Sequence, residues 1–200
     1  MFENQENQFE NQNAKFCELL CEFDTAMLIT RNGDRFRARP MAIAQVEDNC
    51  DLQFFTSSSS GIIEEIHRDP RLHITCQKDH GCYLSMTGSA KLSMDKGQIK
   101  KLWKESYKVW FPEGPEDPTI TLISLKAKDG EYWDLRGTNR IRYLFQAITA
   151  YATGTTPHIE EGNQHGDVKM WLRNTFSEAC ISSTIYNRVT ETTVLGPGAF

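Results

Sequence analysis

The sequence predicts a mainly β fold, an antiparallel barrel with a few packed helices. Three observations point there. Strand-like stretches crowd the first 135 residues of a 200-residue chain. Most are joined by short turn-forming links, not by the long crossovers that parallel strands need. Helical periodicity is confined to a few short segments, which suits helices packed on a barrel better than alternating β and α units.

The elements follow in order. Residues 1–13 are a polar, imperfect Phe-Glu-Asn-Gln repeat, predicted to be disordered. Phe16, Leu19, Leu20 and Phe23 then recur at helical spacing. A strand is expected over residues 26–30, a hairpin turn at Asn32-Gly33, and a second strand over 35–46. Pro40 lies inside that strand and marks an edge or a bulge, because proline donates no ladder hydrogen bond. A third strand spans 52–56, a hydroxyl-rich turn 57–60, and a helix 61–68 that stops before Asp69-Pro70. Strands follow at 71–77 and 83–93, where Gly88 signals a bulge or a close backbone approach. Asp95 and Gln98 suit the start of a helix whose stripe runs through Ile99, Leu102, Trp103 and Val109/Trp110. Residues 111–118 are a proline-rich loop, 119–125 a strand, Asp129-Gly130 a turn and 131–133 a short strand. Ile141, Leu144, Phe145, Ile148 and Ala152 mark a further helix, and Val168, Trp171, Leu172, Thr175 and Ala179 have helical spacing.

Composition narrows the function. The net charge of −5 sits entirely in residues 1–24, so the body is neutral. That argues against a nucleic-acid surface, which would be broadly basic. No apolar run approaches the ~18 residues of a membrane helix, and the N-terminus lacks the layout of a signal peptide. A cytoplasmic protein with reduced cysteines is expected, the six thiols serving mostly as small hydrophobes.

Two local features carry chemistry. Arg35, Arg37 and Arg39 alternate along one strand, so they share one face, a row of guanidiniums suited to an oxyanion. In Phe54-Phe55-Thr56-Ser57-Ser58-Ser59-Ser60-Gly61 a strand ends, hydroxyls crowd a turn and a helix begins. Helix starts hold phosphate through free N–H groups, although simple N-capping by Ser60 would explain the turn alone. Consecutive strands usually pair, which would bring the two features together.

These residues carry a resemblance. Arg39-Pro40-Met41, Phe54-Phe55-Thr56 with Ser60, and Asp69-Pro70-Arg71 resemble the pyridoxamine 5′-phosphate oxidase-like family. Ser85 to Gly88, Leu102-Trp103, Trp110-Phe111-Pro112-Glu113-Gly114, Asp117-Pro118 and Glu131-Tyr132-Trp133-Asp134 resemble its general stress protein branch. The match covers residues 14–170, leaving 171–200 as an extension. The resemblance implies a mainly β (α+β) fold, a six-stranded antiparallel split β-barrel with peripheral helices. It also implies a homodimer with FMN, or FAD, at each subunit interface. Arg39 and the turn of Thr56, Ser57, Ser60, Gly61 and Ile62 would hold the flavin phosphate, with help from Arg37. The backbone of Pro40, Met41 and Ala42 would lie along the ring system, and Phe54 and Phe55 would end in the pocket wall. Tyr83 stands where related oxidases place a glutamine, and Trp110 and Phe111 would reach or cover the neighbouring subunit's flavin. Ile62 replaces the family's usual phosphate-binding lysine, an ion-paired bond worth about 1.5–3 kcal/mol. The C-terminus lacks the arginine-rich substrate segment of true pyridoxamine phosphate oxidases.

Three functional readings follow: a flavin-dependent oxidoreductase of unknown substrate, a non-catalytic flavin-binding or flavin-sensing module, and a barrel that has lost its flavin. No catalytic residue is identifiable from residue order. His73, Cys76, His80 and Cys82 are close in sequence, but His73 and Cys76 would face opposite sides of a strand, so no metal is expected.

Overall fold

In the computed structural model the described residues are 2–78, 81–136, 146–147, 149–151, 153–154 and 165–170, with side chains from residue 11 onward. Helix α1 (Phe2–Leu20) leads into strands β1 (Thr25–Asn32), β2 (Arg35–Val46) and β3 (Leu52–Ser57). Helix α2 (Gly61–Arg68) precedes β4 (Arg71–Lys78) and β5 (Cys82–Ser93). Helix α3 (Lys96–Leu102) and two 3-10 turns (Glu105–Val109 and Gly114–Glu116) precede β6 (Ile120–Asp134), and β7 (His165–Lys169) comes last.

The sheet order is β3-β2-β1-β4-β5-β6-β7, and β6 also pairs with β3. That second pairing closes β1 to β6 into a six-stranded antiparallel barrel, and β7 adds to the outside of β6. Closure needs a long strand, and β6 is long enough to pair with β5 along one edge and with two partners along the other. Its first half, Ile120 to Leu125, pairs with β3; its second half, Asp129 to Trp133, pairs with β7.

Local chemistry explains the elements. Gly33 adopts φ +64° in the two-residue link between β1 and β2, a conformation glycine takes without strain. Pro40 lies in the half of β2 that pairs with β1 alone; pairing with β3 begins at Ile43, beside a bulge. Ser60 caps α2, its Oγ accepting from the Ile62 N–H at 3.5 Å, and Asp95 caps α3 through the N–H groups of Gly97 and Gln98. Gly88 meets its expectation. A Cβ there would lie 2.4 Å from the Lys126 carbonyl oxygen, next to a register shift.

Four expectations are corrected. Residues 2–13 are helical and continuous with the amphipathic segment, since Glu and Gln extend a helix once its apolar end is docked. Asp129-Gly130 makes no turn. Both lie inside β6, and Gly130 is required because the Phe16 ring packs 2.5 Å from where a Cβ would stand. The stripe through Trp103 and Val109 breaks, because α3 ends at Leu102 and Val109 is exposed. Val168 belongs to a strand, not a helix, with Gly166 giving space to the Tyr132 ring. Residues 146, 147, 149–151 and 153 are helical; 141–145, 148, 152 and 171–200 lie outside the described residues.

The cysteines divide. Cys76 and Cys82 are buried thiols, as expected, burial pushing them up to about 12 and about 11 respectively. Cys17 and Cys50 are joined by a disulfide, against the expectation of reduced thiols. Among the described residues no helix is long and apolar enough to cross a membrane.

Candidate functional site

Residues of β2 alternate. Phe36, Ala38, Pro40 and Ala42 face outward and are exposed, while Arg39, Met41 and Ile43 face inward and are buried. The arginine row therefore shares its face with the barrel core and lies at one end of it. Helix α2 covers that end. Its Ile62 and Ile66 enter the core, and Glu65, on the same helical face, is 2 % exposed.

Glu65 is where the arginines converge. Its Oε1 accepts from Arg37 Nη1 and from Arg39 Nη2, each at 3.0 Å. Its Oε2 lies 2.8 Å from Arg39 Nη2 and accepts from Thr30 Oγ1 at 2.6 Å. Arg39 Nη1 donates to Thr30 Oγ1 at 3.0 Å, closing the network. Burial pushes the Glu65 carboxyl up. Hydrogen bonds from Thr30 and Arg39, and the charges of Arg39 and Arg37, outweigh this and hold it below the usual carboxylate range. Two guanidiniums thus face one carboxylate, leaving one net positive charge.

The two arginines differ in availability. The Arg39 side chain is 10 % exposed and turned to Glu65 and Thr30; that of Arg37 is 53 % exposed. Arg37 also overlooks the start of α2. A Cβ on Gly61 would meet only Arg37 Nη1, at 3.9 Å. The strand and the turn therefore meet, with Arg37 the member nearest the helix start.

The turn itself is ordered by its own hydroxyls. Ser57 Oγ and Ser59 Oγ are 2.9 Å apart, the Ser60 N–H donates to the Ser57 carbonyl, and the Ser58 N–H donates to the Thr119 carbonyl. Thr56 is buried, Ser57 and Ser60 are half-buried, and Gly61 is exposed. Ile62 is 1 % exposed, so it serves the core where a lysine would face a phosphate.

Other expected residues lie farther off. Phe54 is fully buried in the barrel interior, and its strand is paired on both sides, with Ile43 of β2 and Ile123 of β6, so it does not line an open pocket wall. Phe55 belongs to a second apolar cluster outside the barrel, edge-on to Tyr107 at 5.1 Å, with Trp110 and Phe111 in the same cluster. Tyr83 is exposed on the outer face of β5. Residue pairing runs Pro40, Met27, Thr75, Ser85 across β2, β1, β4 and β5. Three strand spacings, about 14 Å, thus separate Pro40 from the Tyr83 strand within one chain.

Residue order did not single out Glu65 or Thr30. The signal was present: a carboxylate three residues after Ile62 and one before Ile66, on the face that α2 buries. His73 hydrogen-bonds Ser85 on the outer face while Cys76 is inside, so these two do not converge; His80 lies outside the described residues.

Comparisons fit this architecture. The family model for pyridoxamine 5′-phosphate oxidase-like proteins matches residues 11–158. The chain is 28% identical over 119 residues to Protein bli-3 of Neurospora crassa, covering 54% of this chain and 57% of that protein. It thus spans little more than half of that relative's length. A general stress FMN/FAD binding protein from Xanthomonas citri superposes with a TM-score of 0.56 at 25% identity, covering 64% of this chain and 92% of that one. A putative general stress protein 26 from Jannaschia is alike in fold, with a TM-score of 0.60, 22% identity and coverage of 78% and 96%. With the barrel closed as that fold requires and most of the chain matched, the protein belongs to the pyridoxamine 5′-phosphate oxidase-like family.

Proposed function

We propose that this chain binds a flavin nucleotide, FMN or FAD, by its phosphate, as a cytoplasmic homodimer with the flavin at the subunit interface. One observation carries the reading: a half-exposed guanidinium, Arg37, stands at the hydroxyl-lined start of α2. The residues fit a phosphate. Gly61 leaves open space beneath Arg37, Ser57 and Ser60 offer hydroxyls, and the helix start offers N–H groups. Arg39 acts one step back. Held by Glu65 and Thr30, it orients the network from which Arg37 projects.

The bound flavin would supply electron transfer to or from a small acceptor, and the protein supplies position and electrostatics. The exposed backbone at Pro40 and Ala42 offers a flat edge for the ring system. The separation of Pro40 from Tyr83 supports the dimer, because Tyr83 would then serve its partner's flavin. The FMN/FAD binding named for the Xanthomonas citri protein supports the cofactor.

A second reading is favoured by Ile62 and Glu65: a barrel that no longer loads flavin, its lysine replaced and its inner arginine neutralised. Purified protein incubated with FMN and then gel-filtered separates the two. Flavin absorption co-eluting with a species of twice the monomer mass supports the proposal. A colourless protein after incubation at high FMN establishes the second reading instead. Steady-state oxidation of nicotinamide cofactors then tells an oxidoreductase from a flavin-binding module.

A further inference from the structure

Away from the arginines, the β6–β7 pair gathers three side chains that ligate metals. Glu131 and Asp167 stand directly opposite each other across the two strands, and His165 stands opposite Trp133. Alternate residues of a strand share a face, so all four lie on one side of the sheet. That side is the outer one. Glu131, Trp133 and His165 are half-buried and Asp167 is exposed, while Tyr132 and Val168 are buried on the opposite side. One ligand atom from each of Glu131, His165 and Asp167 can be chosen so that all three lie within 4.8 Å of one another. The His165 Nε2 is 2.7 Å from Glu131 Oε1, and the Trp133 ring packs on the imidazole with centroids 5.3 Å apart, which orients it.

This arrangement opposes two carboxylates. Like charges directly opposite each other destabilise a strand pair. Lys169, the cation of β7, does not face them, because the register sets it opposite Asp129. A divalent cation answers both carboxylates at once and takes the imidazole lone pair. Ligand atoms at about 2.0–2.2 Å from a tetrahedral zinc are about 3.4 Å apart. His165 and Glu131 at 2.7 Å, and a spread of no more than 4.8 Å, reach that spacing by side-chain rotation, with the strand register kept. A mixed set of one imidazole and two carboxylates suits zinc and its first-row neighbours, whereas magnesium and calcium take oxygen alone.

We propose that Glu131, His165 and Asp167 form a binding site for a divalent transition-metal cation of the zinc class, bridging β6 and β7. Three protein ligands leave a fourth position for water. The cation pins β7 to the outside of the barrel. The site stands apart from the start of α2, so it does not depend on flavin binding.

The full chain, free of any histidine tag and stripped with EDTA, is titrated with zinc chloride in competition with a chromophoric chelator. Magnesium chloride is the control. The wild type takes up zinc and prefers it to magnesium by at least about a hundredfold. His165→Ala and Glu131→Gln each weaken zinc binding at least about tenfold. Asp167→Asn keeps the test decisive where those variants fail to fold, because Asp167 is exposed. It also weakens zinc binding about tenfold, yet its metal-free urea midpoint is at or above that of the wild type, since the charge opposite Glu131 is gone. The proposal is overturned if the wild type binds no zinc or binds magnesium as tightly. It is also overturned by undiminished zinc affinity in Asp167→Asn or in folded His165→Ala. A lowered metal-free midpoint in Asp167→Asn, which would give that carboxylate a structural role, overturns it too.

Discussion

Glu65→Gln is the substitution whose effect follows most directly from the geometry. Gln keeps the shape of the side chain and removes its charge. The Arg39 guanidinium then stays buried beside Thr30 without a counter-charge, while Arg37, half-exposed, regains water. Breaking a buried pair by removing one partner costs about 3–5 kcal/mol; the hydration of Arg37 argues for the low end, about 3. With a urea m-value of about 2 kcal/mol/M, the unfolding midpoint falls by about 1.5 M. The sign of the pH dependence is fixed by the same network. The folded Glu65 carboxyl titrates below its unfolded value, so its contribution is complete above about pH 4.3 and is lost as pH falls through the folded value. The gap between wild type and variant therefore narrows in acid. Removing the carboxylate also doubles the net positive charge beside the helix start, and FMN binding tightens about tenfold. A midpoint shift under about 0.3 M, or a gap as wide at about pH 3 as at about pH 7, refutes the reasoning.

Other outcomes follow from single residues. Ile62→Ala removes a fully buried side chain and costs about 2–4 kcal/mol in thermal unfolding, while FMN affinity stays within about twofold of wild type. Gly88→Ala places a methyl 2.4 Å from a backbone carbonyl in the β5–β6 bulge and lowers stability by at least about 2 kcal/mol in urea. Cys76 and Cys82 stay protonated at neutral pH, so iodoacetamide modifies them only after unfolding, as read by mass spectrometry.

Much of this fold was legible because its signals are local. Gly33, Ser60, Asp95 and the proline after Asp69 each set a boundary through their own backbone chemistry, and the structure places boundaries there. The misread elements depend on partners distant in sequence. Gly130 reads as a turn until the Phe16 ring is seen lying against it, and Val168 fits a helix stripe until β6 pairs with it. The site divides in the same way. Alternation put the arginines on one face, but residue order could not tell that this face continues into the core. Nor could it tell that Glu65, across the barrel end, would hold Arg39 and leave Arg37 the more exposed. The disulfide was hidden for the same reason, since Cys17 and Cys50 belong to different elements and no spacing rule links them.

The central claim is that Arg37 and the start of α2 grip a flavin's phosphate, and titration with FMN and with riboflavin, followed by flavin fluorescence, tests it most directly. FMN should bind at least tenfold tighter than phosphate-free riboflavin, and Arg37→Ala should abolish that difference while leaving the fold intact, given about 1.5–3 kcal/mol for a charge-assisted bond. Equal affinity for the two flavins in the wild type, or an undiminished preference for FMN in Arg37→Ala, would contradict the account.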